Sequence, residues 1–419
     1  MSFFTSVTGL NAAAAELAVA SNNIANSNTT SFKRSEAKFS DVFASSVSTK
    51  ASTTFGSGVA LKGIVQQFSQ GGLQLSENAL DIAITGDGFF PIANSDGSVL
   101  YTRNGSFMLD DNNQIANSAG QTLQVHPLTA AGVSDFDQAT IPLEIDRVKQ
   151  GSPTTFINLD IKIPESVDFI GTTNGAGDIL IDPTDPDTYH VKQSLTLFND
   201  DGEPVTADVY YQKIEESGIL GDATIVTDSY RVAIHIDGNP VAASYVPYDF
   251  DQDGNPVNIG EQTIPADQVD GLSEDITLNV VAVTHASDFQ ALETTIDGSA
   301  EGNLVNINID GDGSVMATYS NGLQDFAGRV NLVSFTSPQG LSQLGDTTYR
   351  ASGDSGVISY EQPGTSGIGT LVSGATERSN VDLTQELVNL ISAQRNFQSN
   401  AKAMETSGTL TQTLINMRG

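Results

Sequence analysis

The sequence predicts a mainly β protein whose two ends form an α-helical coiled-coil layer, with discontinuous β domains nested between them. Three observations predict this class. Apolar residues follow a spacing of alternating fours and threes near both ends, as in paired helices. Between the ends, short β-branched and aromatic runs are broken by Gly, Asn and Asp, as in strands and turns. The third is the length of 419 residues, which favours two or three domains.

The first predicted helix lies at the N-terminal end of the chain. Its spacing keeps one seam on one face of the helix. The seam consists of Phe3, Val7, Leu10, Ala14, Leu17, Ser21 and Ile24. The pattern stops in the Asn- and Thr-rich segment 22–30. Segment 35–58 is rich in Ser and Thr and predicts an extended connector.

The second predicted helix repeats the spacing at the C-terminal end. Its seam consists of Leu383, Leu387, Leu390, Gln394, Phe397, Ala401, Met404, Gly408, Thr411 and Ile415. Each helix alone would expose an apolar stripe, so each needs the other helix or the helices of neighbouring molecules. Docking of both on a globular core is the alternative. For assembly, we predict that the firm contacts come from Val7, Leu10, Leu17, Ile24, Leu387, Leu390, Phe397 and Met404.

The formal charge of −33 is very unevenly placed. Residues 1–70 carry a net charge of +2 and residues 376–419 are neutral, whereas residues 71–375 hold 9 basic and 44 acidic residues. A nearly neutral helical layer lets many copies approach, and an acidic exterior keeps the protein soluble. The acidity argues against binding to nucleic acid or to an anionic membrane. A halophilic or marine source is a second explanation for it.

Catalytic and cofactor sites are hard to find in this sequence. There is no cysteine, so neither a disulfide nor a thiolate site is available, and four scattered histidines (126, 190, 235 and 285) have no ligand spacing. We therefore predict no enzyme activity, no metal and no cofactor. Two acidic clusters resemble the opening of a calcium loop, at Asp249–Gly254 and Asn308–Gly313, but both lack the closing ligand. Turns of β hairpins explain both.

A cleaved signal peptide is not predicted. The first basic residue is Lys33, and Glu16 interrupts the apolar run of the first helix. The run is typical of an amphipathic helix rather than of a signal or a membrane span. A protein with this N-terminus would leave the cell by another route.

Four short motifs point to a known family. They read SNNIANSNTTSFKR at 21–34, LDIAITGDGFF at 80–90 with YTRNGSF at 101–107, ATYSNG at 317–322, and SNVDLTQELVNLISAQRNFQSNAKA at 379–403. These strings resemble the signatures of the bacterial flagellar axial proteins, which build the rod, hook and filament junctions. Together with the length, they are most similar to the hook branch of that family. The resemblance covers roughly the first 125 and the last 110 residues.

The resemblance implies a nested domain organisation. The helical layer would comprise 1–32 with 376–419, and an extended connector 33–70 with 363–375. An inner β domain would comprise 71–146 with 286–362, and an outer β domain 147–285 would be inserted in it.

The resemblance also implies a function: a structural subunit that self-assembles into a flexible tube and transmits motor torque. It implies a location in the extracellular flagellum at the basal body, and export through the flagellar type III apparatus. The implied partners are further copies of the chain and the distal rod, hook cap and hook–filament junction proteins. A distal rod protein, or a secreted surface or carbohydrate-binding β protein with oligomerising ends, are the alternatives.

Overall fold

The computed structural model describes residues 3–42, 56–129, 132–164, 167–170, 181–214, 228–241, 246–250, 256–258, 262–285, 288–365 and 367–417. The chain divides into two compact units. Unit 1 comprises Met1–Asp146, Val305–Thr318 and Gln324–Gly419, and unit 2 comprises Arg147–Leu304 and Tyr319–Leu323. The described residues contain two α-helices and many short strands, so the predicted fold class is confirmed.

The two helices lie at the ends of the chain, as the spacing of apolar residues predicts. Helix α1 spans Phe3–Ala25 and helix α2 spans Leu383–Asn416. The carboxylate of Asp382 caps α2 by accepting hydrogen bonds from the backbone N–H groups of Thr384 and Gln385, at 2.9 and 3.1 Å. These two N–H groups have no partner inside the helix, so the cap fixes where α2 begins.

The strands of the first half of the chain are β1 Ser35–Asp41, β2 Val59–Gln66, β3 Leu73–Leu75, β4 Ile82–Thr85, β5 Phe90–Ala93, β6 Val99–Thr102, β7 Phe107–Leu109, β8 Ile115–Asn117, β9 Thr122–Val125, β10 Ile141–Pro142, β11 Val148–Lys149, β12 Phe156–Pro164, β13 Val191–Phe198 and β14 Pro204–Ile214. Those of the second half are β15 Asp228–Ile236, β16 Asn239–Pro240, β17 Val246–Phe250, β18 Pro256–Asn258, β19 Gln262–Ile264, β20 Ile276–His285, β21 Gln290–Ile296, β22 Gly302–Ile309, β23 Ser314–Tyr319, β24 Gln324–Arg329, β25 Leu332–Phe335, β26 Ser342–Gly345, β27 Thr348–Arg350, β28 Ile358–Glu361, β29 Thr370–Ser373 and β30 Ala375–Glu377. Short 3-10 helices occur at Pro186–Thr188, Ala266–Gln268, Pro338–Gly340 and Gly353–Ser355.

Unit 1 is built by strands from both ends of the chain. Its largest sheet has the order β26-β27-β6-β5-β9-β8-β7, with β10 paired to β9. Three antiparallel pairs join early strands to late ones: β27 with β6, β29 with β4, and β3 with β30. An aromatic cluster lies beside them and contains Phe89, Tyr101, Phe335 and Tyr349. Because the late strands complete sheets that the early strands begin, the chain can fold this unit only after it has returned from unit 2.

Unit 2 contains two sheets around one apolar core. One has the order β19-β20-β12-β21 and the other β13-β14-β15-β17-β18, with β16 on β15. Strand β12 alternates between buried and half-buried residues, and its side chains at Ile157, Leu159, Ile161 and Ile163 enter the core. This is the period of two expected of a strand with one buried face. The pairing of β12 with β20 is parallel, and that of β12 with β21 is antiparallel.

The units differ from the predicted domains at the border of unit 2, which extends past residue 285 to Leu304 and also includes Tyr319–Leu323. Strand β21 pairs with β12, so residues 290–296 lie in unit 2 rather than in the predicted inner domain. The predicted connector contains the antiparallel pair of β1 and β2, with a bulge at Lys38/Phe39. For both β21 and β1, the partner strand is distant in sequence or follows a long loop. Local pattern therefore could not place these strands.

The acidic loop at Asn308–Gly313 forms the turn between β22 and β23. The N–H of Gly313 donates to the carbonyl of Asp310 at 3.0 Å, and the Asp312 carboxylate accepts from the Ser314 N–H at 3.1 Å. Gly313 has φ of +89°, a conformation that suits glycine. In the other acidic cluster, Asp249–Gly254, residues 251–254 lie outside the described residues. No group of three or more potential metal-ligating side chains occurs in the described part of the chain.

Candidate assembly surface

Helices α1 and α2 pack against each other in antiparallel orientation. The Asn23 side chain donates to Oε2 of Glu386 at 3.3 Å, near the end of α1 and the start of α2. At the other end, Gly9 lies against Asn400: a methyl group added to Gly9 would lie 2.7 Å from the Asn400 Oδ1. Fourteen residues separate the two contacts along each helix, so the register is the same at both.

The face of α1 that is buried carries small side chains. Its fully buried positions are Ser6, Ala13, Val19, Ala20 and Asn23. With Gly9, the small residues recur three and four apart along one face, which brings the two backbones close. The apolar spacing did not predict this face, because that spacing is carried mainly by large apolar side chains. The signal that could have found it is the run of small residues at the same spacing.

The eight residues of the predicted seam lie beside this contact and are not at its centre. In α1, Val7, Leu10, Leu17 and Ile24 are all half-buried. In α2, Leu390 and Met404 are half-buried, whereas Leu387 and Phe397 are 46% and 37% exposed. The structure therefore places the seam on the flank of the helical pair. A substantial apolar surface stays open to solvent in the single chain.

Further apolar side chains on both helices are exposed. The largest are Phe3 and Phe4 on α1, and Leu383, Val388, Ile391, Leu410 and Ile415 on α2. The α1 sequence contains one charged residue, Glu16. By length and composition alone, α1 is apolar enough to cross a membrane, a test that a core helix also passes. An apolar surface of this extent on a single chain is typical of a site that binds another protein surface.

A polar network closes the base of the helical pair, where the chain enters the β structure. The amide side chain of Asn23 donates to the Ser35 carbonyl and accepts from the Ser35 N–H, both at 2.9 Å. From the returning chain, Asn380 accepts from the Arg34 N–H at 2.8 Å. Glu386 on α2 binds the Arg34 guanidinium at 3.3 Å. These contacts hold the end of α1 against the start of α2 without a large apolar core.

A buried ion cluster lies next to this network. The carboxylate of Glu377 binds the ammonium of Lys33 at 2.7 Å and the Nε of Arg103 at 3.1 Å, and all three side chains are fully buried. The same carboxylate accepts from the N–H of Gly71 at 2.7 Å. Arg103 also donates to the carbonyl of Gly86 at 2.7 Å. One carboxylate thus joins the end of the N-terminal segment, the inner β structure and the returning strand β30.

The environment of Lys33 disfavours its charged form. Burial and, to a smaller extent, the positive charge of Arg103 lower the pKa of its ammonium from 10.5 to about 8. Glu377 and Asp87 act in the opposite direction but do not compensate. The cluster has two cations and one buried anion, so removal of the anion would strongly destabilise the folded chain.

Sequence reasoning did not single out Lys33, Arg103 or Glu377. They lie within or beside the motifs, in SFKR, YTRNGSF and ATERSN, and Lys33 and Glu377 each stand next to an arginine. No local pattern marks the three as partners, although a buried charge needs a partner of opposite sign.

Four family models match successive parts of the chain. They are "Flagella basal body rod protein" at residues 3–33, "Flagellar hook protein FlgE/F/G D1 domain" at 83–182, "Flagellar basal body protein FlaE D2 domain" at 171–365, and "Flagellar basal body rod FlgEFG protein C-terminal" at 372–417. The first and last coincide with α1 and α2. The two middle models cover the β part of the chain.

Whole-length relatives carry the name of the hook protein. The flagellar hook protein FlgE of Escherichia coli is 35% identical over 100% of both chains, and that of Salmonella typhimurium is 33% identical over 100% of both. The FlgE of Brucella suis is 30% identical over 99% of this chain and 98% of its own. A crystal structure of Helicobacter pylori FlgE2 matches 71% of this chain and 98% of its own with a TM-score of 0.45 and 12% identity.

These relatives distinguish between the readings that the sequence left open. They match along the whole length and are hook proteins, which favours a hook subunit over a distal rod protein and over a secreted β-protein binder. The chain therefore belongs to the flagellar hook protein FlgE family, and it is a structural subunit of the bacterial flagellar hook.

Proposed function

We propose that copies of this chain polymerise into the hook through the flank of the α1–α2 pair. The observation that carries the proposal is the exposed apolar surface along both helices, in a part of the chain that is nearly free of net charge. Copies can approach along such a surface without strong repulsion, and its burial removes apolar area from water at about 25 cal/mol per Å². The firm contacts come from Val7, Leu10, Leu17, Ile24, Leu387, Leu390, Phe397 and Met404.

The polymer is a flexible tube that transmits torque from the motor to the filament. The terminal helices form the inner layer of the tube, and the acidic β domains face outward. A bending tube needs firm contacts near its axis and exchangeable contacts outside, because subunits crowd on one side of the bend and spread on the other. Polar contacts between the outer β domains of different copies can be exchanged during bending, because each contributes at most about 1 kcal/mol.

The organisation and partners of the chain follow from the same proposal. The helical pair is the assembly domain, segments 33–70 and 363–375 connect it to an inner β domain, and an outer β domain is inserted in the inner one. Besides further copies of the chain, the partners are the distal rod, hook cap and hook–filament junction proteins. The chain leaves the cell through the flagellar type III apparatus without a cleaved signal peptide. The hook stands outside the cell at the basal body.

The test replaces one exposed seam residue. Leu387→Asp puts a carboxylate on the open flank, where burial in a polymer would require desolvation of the charge. We expect it to abolish polymer formation at high salt, where acidic repulsion is screened, while the monomer keeps its far-UV circular dichroism. Leu390→Asp should act in the same way from a half-buried position.

The matched control is Leu323→Asp, the same substitution at an exposed leucine between β23 and β24. We expect it to polymerise like the unmodified chain in electron micrographs and in a sedimentation assay. Normal tubes from Leu387→Asp and Leu390→Asp would refute the assignment of the seam.

A further inference from the structure

A groove runs along the helical pair beside the seam. It has a volume of about 300 Å³ and is bounded by α1, α2 and β1. Its polar lining includes Glu16, Arg34, Glu36, Glu386, Asn389 and Asn396. Its polar lining suits a charged side chain of a second protein surface better than a small molecule, since ligand pockets usually have a mainly apolar lining.

The charges in this groove do not balance. Arg34 binds Glu386 at 3.3 Å and approaches Glu36 at 3.8 Å, and Lys38 binds Glu36 at 2.5 Å. Two cations are therefore matched by two carboxylates, and the carboxylate of Glu16 remains. Among the described residues, Glu16 has no hydrogen bond and no ion pair. The groove thus presents one unmatched negative charge, on the only charged residue of α1.

A single unmatched positive charge lies on a different face of α2. Arg395 is exposed, and no residue in the described part of the chain forms an ion pair with it. Its neighbours four and seven residues back on the helix are Ile391 and Val388, which are 48% and 53% exposed. The other cation on this side, Lys402, is bound to Glu405 at 2.7 Å.

Within one chain, these two charges do not meet. Asn389, Ser392 and Asn396 line the groove. Arg395 shares a helix face with Val388 and Ile391, which do not line it. The arginine of one copy and the groove of another are nevertheless complementary in charge. Exposed apolar side chains flank the arginine and would be buried with it, which strengthens an ion pair relative to one in water.

We propose that the groove of one copy receives Arg395 of a second copy, with an ion pair between Arg395 and Glu16. The proposal rests on polymerisation through the terminal helices and adds the contact that orients one copy on the next. A charge pair at the edge of an apolar interface fixes register and suppresses wrong docking more than it adds affinity. Apolar burial on the seam would supply the binding free energy, and this pair would select the orientation.

The test is a charge reversal in the full-length chain. Glu16→Arg and Arg395→Glu each place two like charges in the proposed contact, so we expect each to reduce the sedimentable polymer by about tenfold or more. The double variant Glu16→Arg/Arg395→Glu restores opposite charges and should recover polymer to within about twofold of the unmodified chain. Single variants that polymerise normally, or a double variant that stays defective, would overturn the proposal.

Two further variants test whether a loss of polymer comes from misfolding rather than from the lost ion pair. Glu16→Gln and Arg395→Gln remove the charges with little change of shape, and if the two groups pair, the double variant is no worse than either single one. Losses that add would contradict the pairing. Lys402→Glu is the matched control, because it changes the net charge as Arg395→Glu does on the same helix, and we expect it to polymerise.

The results also separate this proposal from the proposed function. If Leu387→Asp abolishes polymer and the charge reversals do not, assembly through the helices stands and the ion pair fails. If Leu387→Asp polymerises normally, the assembly surface itself is wrong.

Discussion

The helical pair of unit 1 and the β core of unit 2 are stabilised in opposite ways. Unit 2 buries a continuous apolar cluster, with Leu159, Ile276, Leu278 and Val280 at zero exposure. The helical pair buries small side chains, closes its base with amides and ions, and leaves its large apolar residues exposed. Unit 2 buries its own hydrophobic surface. The helical pair satisfies its polar groups and leaves apolar surface exposed, and in the proposed assembly other copies bury this surface.

The largest expected effect comes from the ion cluster at the base of the helical pair. Glu377→Gln keeps the shape of the side chain but leaves Lys33 and Arg103 buried without an anion, so we expect a loss of about 3–5 kcal/mol in the free energy of unfolding. Urea unfolding followed by the helical circular dichroism signal measures it. The control Glu405→Gln breaks an exposed pair and should cost less than about 1 kcal/mol. Equal costs would mean that the buried cluster does not stabilise this region.

The next effect tests the apolar core of unit 2. Leu278→Ala leaves a cavity at a fully buried position of β20, and we expect a loss of about 2–5 kcal/mol. Hydrogen exchange of peptides from β12 and β20 measures it locally. Val281→Ala on the same strand removes side-chain atoms at a position that is 41% exposed and should change stability by well under 1 kcal/mol. A comparable loss in exchange protection at α1 would show that the two regions are not independently stabilised.

A smaller effect concerns pH. In the folded chain the pKa of Lys33 is lowered to about 8, whereas in the unfolded chain it is near 10.5. Between these values the unfolded chain binds a proton that the folded chain has released, so the free energy of unfolding rises with pH, by about 1–2 kcal/mol from pH 7.5 to 9.5. Above pH 10 the raised pKa values of Tyr101 and Tyr349 act in the opposite direction. Lys33→Met should remove the rise, and a rise that persists would assign it to other groups.

The smallest effect compares two glycines of the helices. Gly408 lies in open space, so Gly408→Ala should stabilise α2 by about 0.5–1 kcal/mol through helix propensity alone. At Gly9, the added methyl group would lie 2.7 Å from the Asn400 side chain, which must move. We expect Gly9→Ala to lose that gain or to destabilise the chain. Thermal unfolding of both variants measures the difference, and equal stabilisation would mean that the helices are not in close contact at Gly9.

The sequence predicted the class of the fold and the ends of the helical layer because both are encoded by local pattern. The apolar spacing of α1 and of α2 is local, and so is the turn at Gly313. The rotation of α1 against α2 was not predicted. A heptad pattern ranks side chains by size, whereas the closest approach of the two helices uses Ser6, Gly9 and Ala13. Where the large residues lie in the polymer stays a prediction.

The ion cluster and the placement of β21 escaped prediction for a different reason. Each depends on residues that are far apart in the chain, and no local pattern marks the partner. Lys33 gives no sign in the sequence that its partner is Glu377, or that Arg103 shares it. Only the fold brings the three together, at the point where the outgoing and returning segments meet.

The ion pair between Lys33 and Glu377 also affects the order in which the parts of the chain can fold. It joins residues that are 344 positions apart, so it forms only after almost the whole chain has been made. A ribosome produces α1 first, and this helix lacks its helical partner α2 until the last tenth of the sequence follows. A chain broken off before Glu377 lacks the anion, strand β30 and α2 together. The proposed assembly surface, which both helices form, therefore arises only after α2 has been made and has paired with α1.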